Sequence, residues 1–238
     1  MPRGLARRAL WACVLGSVAP VAWGGGQLQA GPTLIELTPG ATAGRMTLAN
    51  TGDAPVAAQI RAFAWSQVGG EDRLGVTHDI ALSPAIVQIP AGATQVVRVV
   101  RQGPAPTTQD ASYRLIVDEL PGAVTDTAAG INFRMRYVVP VYVRAAKASS
   151  PALQCQLLAA ALACDNTGGR AAQLGASRLV DGHGKAVPLT RGLFGYVLAG
   201  SRRQWPLDPA QLQPLSAGVR LETQLNGQPL SVPVVRAP

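Results

Sequence analysis

Two all-β sandwich domains behind a removable leader are expected from three features of this 238-residue chain. Short apolar–polar alternations recur between Pro, Gly and Asn turn signals, with almost no helical periodicity. The length left after the leader, about 208 residues, suits two domains of about 100 each. A turn-and-strand unit also recurs about 110 residues along.

The chain opens with Arg3, Arg7 and Arg8, followed by an apolar run from Ala9 to Trp23 and then Gly24, Gly25, Gly26 and Ala30. A basic start, a short apolar stretch and small residues are the pattern of a secretory signal peptide, so residues 1–30 are expected to be a leader cut between about residues 23 and 30. The Arg7–Arg8 pair lacks the rest of a twin-arginine signal, and Cys13 lies too early for a lipid anchor. No later segment has 18 uninterrupted apolar residues, so no integral membrane segment is expected in the mature protein. Removing the leader lowers the net charge from +8 to +5. Lys147 and Lys185 are the only lysines, so the basic character is almost all arginine, which suits fixed carboxylate recognition. The cations are scattered along strands rather than clustered, which argues against nucleic acid.

Seven strands are expected in the first domain, over 31–145: Thr33–Leu37, Arg45–Ala49, Ala57–Trp65, Ile86–Ile89, Gln95–Arg101, Tyr113–Glu119 and Ile131–Val143. That number and spacing point to an immunoglobulin-like sandwich. After a linker at about 145–151, a second domain is expected over 151–238. Leu48-Ala49-Asn50-Thr51-Gly52 is echoed by Asn166-Thr167-Gly168, and Pro90-Ala91-Gly92-Ala93 by Leu198-Ala199-Gly200-Ser201. Cys155 and Cys164 flank two short strand ends around a turn. They can face each other as a disulfide in an exported compartment or remain two buried thiols, and they lack the spacing of a redox pair.

The stretch 131–143 is the most informative. Ile131, Phe133, Met135, Tyr137, Val139, Val141 and Val143 are apolar, whereas Asn132, Arg134 and Arg136 are polar or cationic. Side chains of a strand alternate between faces, so this reads as one strand with a single apolar face. At about 3.3 Å per residue it would run roughly 40 Å, against a usual length of about 5–6 residues. Such a face is either covered by its own domain or offered to a partner.

Catalysis finds little foothold, and no enzyme is expected. The only histidines, His78 and His183, lie in polar, turn-rich surroundings. No His, Cys, Asp and Glu spacing resembles a metal site, and there is no Gly-x-Ser-x-Gly elbow. Gly182-His183-Gly184-Lys185 lacks the full phosphate-loop pattern. No catalytic, metal or cofactor-binding residue is therefore assigned, and no cofactor is expected.

Several stretches together resemble a known family: Pro32-Thr33-Leu34-Ile35-Glu36-Leu37, Leu48-Ala49-Asn50-Thr51-Gly52, Phe63-Ala64-Trp65-Ser66-Gln67, Val96-Val97-Arg98-Val99-Val100-Arg101, Tyr113 to Pro121, and the alternating strand. They resemble the periplasmic pilus-assembly chaperones of the chaperone–usher pathway, most of all the archaic branch associated with spore-coat-U-type pili. The resemblance implies two immunoglobulin-like domains in a boomerang arrangement, periplasmic localisation, and pilin subunits and an outer-membrane usher as partners. It implies that the long strand is lent to a pilin by β-strand addition. Its donor side chains would be Ile131, Phe133, Met135 and Tyr137, with Val139 at the end. Well-studied members hold the pilin's terminal carboxylate with a cleft Arg and Lys. Here those positions fall near Leu34 and Pro140, so the expected substitutes are Arg98, Arg101 and Arg136. A self-assembling structural fimbrial protein is the alternative, although no obvious donor extension precedes Thr33 and two domains are expected where such a subunit has one.

Overall fold

The computed structural model describes residues 28–121 and 133–236. The first half contains β1 (Leu28–Gly31), β2 (Ile35–Leu37), β3 (Ala43–Asn50), β4 (Val56–Val68), β5 (Glu71–Val76), β6 (Ile80–Ser83), β7 (Ile86–Ile89), β8 (Thr94–Arg101), β9 (Ala111–Glu119) and β10 (Arg136–Val143). They form two layers, ordered β1-β3-β8-β6 and β2-β10-β9-β4-β5, with β7 also paired to β4. The inward positions of both layers make one core that includes Leu28, Met46, Leu48, Ile60, Val97 and Leu115, all at most 1 % exposed. Alternation produces this directly: in β9, Tyr113, Leu115 and Val117 are buried while the residues between them turn outward.

The second half contains β11 (Leu153–Leu158), β12 (Ala161–Asn166), β13 (Ala172–Val180), β14 (Ala186–Pro188), β15 (Leu193–Val197), β16 (Arg202–Pro206), the short helix α1 (Pro209–Leu212), β17 (Arg220–Leu225) and β18 (Gln228–Arg236). The final strand belongs to two layers: its first part pairs with β17 and its last residues pair in parallel with β11. A separate core, with Leu162, Leu174, Leu179 and Leu221 fully buried, lies between them. The chain is thus an all-β, two-domain protein.

The repeated Asn-Thr-Gly has a physical basis. Asn50, 1 % exposed, directs its Nδ2 to the carbonyls of Ala54, Ile89 and Pro90, and its Oδ1 accepts from Gly52 N–H. Asn166, also 1 % exposed, does the same with Arg170, Val197, Leu198 and Gly168 N–H. One buried amide thus closes the equivalent corner of each sandwich, meeting backbone groups that would otherwise be unpaired. Gly168 has a second constraint, because a Cβ there would lie 2.1 Å from the Ser150 carbonyl oxygen. Cys155 and Cys164 are opposite each other across the β11–β12 hairpin and are disulfide-bonded.

In the first half, three strands lie outside the expected seven. β5 has all six residues exposed, so no burial alternation marks it. β6 is only four residues long. β1 overlaps the expected leader, yet Leu28 is 0 % exposed in the first core, so a cut after Leu28 would remove a core side chain. The strand expected over 131–143 is shorter among the described residues. It starts at Arg136, and Ile131 lies outside them.

Candidate functional site

β10 sits beside β9 on one flank, in antiparallel register from Arg136↔Asp118 to Val143↔Ala111. On its other flank β2 pairs only with Val141 to Val143. Among the described residues no strand covers Arg136 to Pro140 on that side.

The direction of the backbone groups follows from two hydrogen bonds just beyond the strand. Arg144 N–H donates to Leu37 O on the β2 side, and Met135 O accepts from Glu119 N–H on the β9 side. Direction alternates along a strand, so the N–H and C=O groups of Arg136 and Val138 face the open flank. Pro140 also falls on that flank and has no N–H to offer. The open edge therefore ends, as a ladder, where β2 takes over.

The side chains follow the same alternation. Val139, Val141 and Val143 are buried in the first core, and Tyr137 packs against it with its hydroxyl donating to Leu28 O. The apolar face then leaves the domain. Met135 is half-buried, and Phe133 is 81 % exposed. Of the expected donor side chains, Val139 is thus committed to the protein's own core, Tyr137 is largely engaged, and Phe133 and Met135 are presented.

The opposite face of β10 looks into a cleft of about 580 Å³ between the domains, lined by Thr33, Trp65, Asp72, Leu74, Arg114, Val138 and Pro140 from the first and by Gln173, Leu193 and Tyr196 from the second. The junction is pinned by Gln67, which donates to Tyr196 O at 2.8 Å and accepts from Leu198 N–H at 3.0 Å. The Gly70 carbonyl accepts from Gln204 N–H at 2.9 Å and from Arg203. Gly70 sits at φ +82, and a Cβ there would lie 2.8 Å from Gln204 Cγ, so a side chain at this position is strained.

None of Arg98, Arg101 and Arg136 lines this cleft. Arg98 is exposed on the other layer, opposite Arg45. Arg101 closes onto the Gly103 carbonyl. Arg136 pairs with Asp118, which also accepts from Arg61 at 2.6 Å. The cleft cation is Arg114, which lies in register with Pro140. Its guanidinium stacks 3.5 Å from the Trp65 ring centroid and 4.8 Å from that of Tyr196. Among the described residues no carboxylate lies within ion-pair distance of it. Burial pushes its pKa below the ordinary arginine value, an effect partly offset by Tyr196, Tyr142 and Asp72. Trp65, 4 % exposed, has an indole N–H without an acceptor. The cleft thus holds a ring-stacked cation, with Asp72 on the same wall, beside a buried indole donor that has no acceptor among the described residues. In the sequence Arg114 is only a polar position of an alternating strand, and its place opposite Pro140 comes from the β9–β10 register.

A two-sandwich protein with an open, apolar-flanked strand edge above a cationic cleft belongs to the class that recognises extended chains by strand addition. Residues 27–148 match the family described as pili and flagellar-assembly chaperones, PapD N-terminal domain, and the chain belongs to that family. It is a pilus-assembly chaperone and not an enzyme. Similar solved structures include the chaperone–tip adhesion subunit pre-assembly complex CsuC–CsuE of archaic Csu pili from Acinetobacter baumannii, at 24 % identity and TM-score 0.70, covering 89 % of this chain and 99 % of that one. The SafA pilin–SafB chaperone complex of Salmonella enterica matches at 14 % identity and TM-score 0.63, covering 88 % and 96 %. The E. coli chaperone DraB matches at 16 % identity and TM-score 0.58, covering 87 % and 96 %. No curated protein matches the chain.

Proposed function

We propose that this chaperone, exported to the periplasm through residues 1–27 or so, lends the open edge of β10 and the apolar stripe beyond it to a pilin subunit, and that Arg114 receives that subunit's terminal carboxylate. The observation that carries the reading is the change in burial along one apolar series: Val143, Val141 and Val139 are in the core, Tyr137 and Met135 are half-buried, and Phe133 is 81 % exposed. Beside it lie backbone groups that an added strand would satisfy. That strand would lose its last hydrogen-bond donor at Pro140, and there its end would meet Arg114. The complexes of CsuC with a tip subunit and of SafB with a pilin support this partner class. Delivery to an outer-membrane usher is the onward step that the family implies.

The test uses a synthetic nine-residue peptide of alternating Val and Thr, with a free C-terminal carboxylate or a C-terminal amide, titrated calorimetrically into the full chain. A hydrogen bond to a charged group contributes about 1.5–3 kcal/mol, so amidation weakens binding by about 10- to 150-fold. With Arg114→Gln the two peptides bind alike. Equal binding of both peptides by the unmodified protein removes Arg114 from the role, and binding of neither overturns the lent edge.

A further inference from the structure

We infer that Asp118 and Glu119 form a clamp that sets the register of the lent segment, an inference that rests on the lent-edge reading above. The clamp lies where the core stops holding the chain. Val139 is the last residue of this face buried in the core, and Tyr137 is anchored through its hydroxyl to Leu28 O. Toward Phe133, among the described residues, the core holds no further residue of this segment, and Asp118 and Glu119 contact it instead. Glu119 N–H donates to Met135 O at 3.0 Å, and Met135 N–H donates to the Glu119 carboxylate at 3.1 Å. The Glu119 side chain thus replaces a backbone acceptor and extends the ladder one residue past the end of β10. Asp118, directly across from Arg136, accepts from Arg136 with one carboxylate oxygen and from Arg61 of β4 with the other. A single carboxylate ties β4, β9 and β10 together at the root of the segment.

Register is what such a clamp protects. A slip of one residue turns every side chain to the other face. Phe133 and Met135 would then face the cleft side, and Arg134 and Arg136 would be offered to an apolar groove. An edge strand supported on one flank resists such a slip least near its free end. The two acidic residues are placed at that end, on the supported flank.

The experiment compares the full chain with Asp118→Asn, Glu119→Gln, the double variant and Asp118→Glu. Amide hydrogen exchange is read over 133–137, and affinity is read with the carboxylate-ended Val/Thr peptide. Exposed and half-exposed ion pairs are modest, so Asp118→Asn should speed exchange there and weaken the peptide each by roughly fivefold. The double variant should reach at least about tenfold, with the melting temperature changed by less than about 2 °C. Asp118→Glu should restore a large part of both. Unchanged exchange over 133–137 in the double variant overturns the clamp, as does faster exchange with undiminished peptide affinity. Failure of the unmodified chain to bind the peptide sinks the lent-edge reading instead, and the exchange data still decide whether the two acidic residues hold the segment.

Discussion

Substitution along one face of the 133–139 segment should separate binding from folding. Phe133 is 81 % exposed, so a groove that covers its ring gains nearly the whole benefit of burying it. Full burial of such a side chain contributes about 1.5–3 kcal/mol, and four-fifths of that is about 1.2–2.4 kcal/mol, or roughly 8- to 60-fold in affinity. Phe133→Ala should therefore weaken a bound pilin subunit by that factor and leave thermal unfolding unmoved. Val139 is 5 % exposed in the first core, so Val139→Ala should do the opposite. Removing two buried methyl groups and leaving a cavity costs about 1.5–3 kcal/mol, which lowers the melting temperature of a domain this size by roughly 5–15 °C. Met135→Ala should fall between the two. The assay is calorimetric unfolding of each free variant, together with retention of the co-expressed pilin during periplasmic purification. Undiminished retention with Phe133→Ala, or a large loss of stability from that change, refutes the reasoning, because either result means that the ring is not a free donor.

Asn166→Ala should cost about 3 kcal/mol or more, since several buried backbone groups lose their partner at once, and a drop of at least about 10 °C in the second domain's unfolding checks it. Replacing Cys155 and Cys164 together by Ala opens a loop closed across a separation of 9 residues, which costs about 2.5–3 kcal/mol and is measurable by denaturant titration. Stability should be flat from pH 7 down to about 5 and should fall below about pH 4. Backbone N–H groups, Ser216 first, hold the Asp181 carboxyl below its usual range. At Asp118 burial pushes upward, but the hydrogen bonds of Arg61 and Arg136 outweigh it and leave that carboxyl below its range too. A carboxyl depressed in the folded state stabilises above its unfolded value and loses that contribution as pH falls through the folded one. Asp181→Asn should therefore flatten the acid limb of melting temperature against pH.

Much of the fold was legible because alternation is a local signal. The expected strands at Arg45–Ala49, Ile86–Ile89 and Tyr113–Glu119 lie within observed ones, and the Asn-Thr-Gly echo marked a real structural repeat. β5 carried no such signal, since an edge strand exposed on both faces has nothing to alternate. Period-two spacing puts Phe133, Met135 and Val139 in one apolar set, yet Phe133 is exposed and Val139 is buried, because the pattern marks a face and not where the core ends. Arg98, Arg101 and Arg136 are cations on strands, but none lines the cleft, since sequence does not say which layer or flank a cation occupies.

The sequence by itself determined the all-β layout and the apolar stripe, since each depends on residues near one another in the chain, while it left the two cysteines open between a bond and free thiols. The tertiary structure decided which part of the stripe is free and which cation waits in the cleft. Those outcomes depend on β2 stopping at Val141, on β9 setting Arg114 opposite Pro140, and on Trp65 and Tyr196 meeting from different domains around the guanidinium. The physical reason is that neighbours along the chain set which way a side chain points, while neighbours in space set what it meets there.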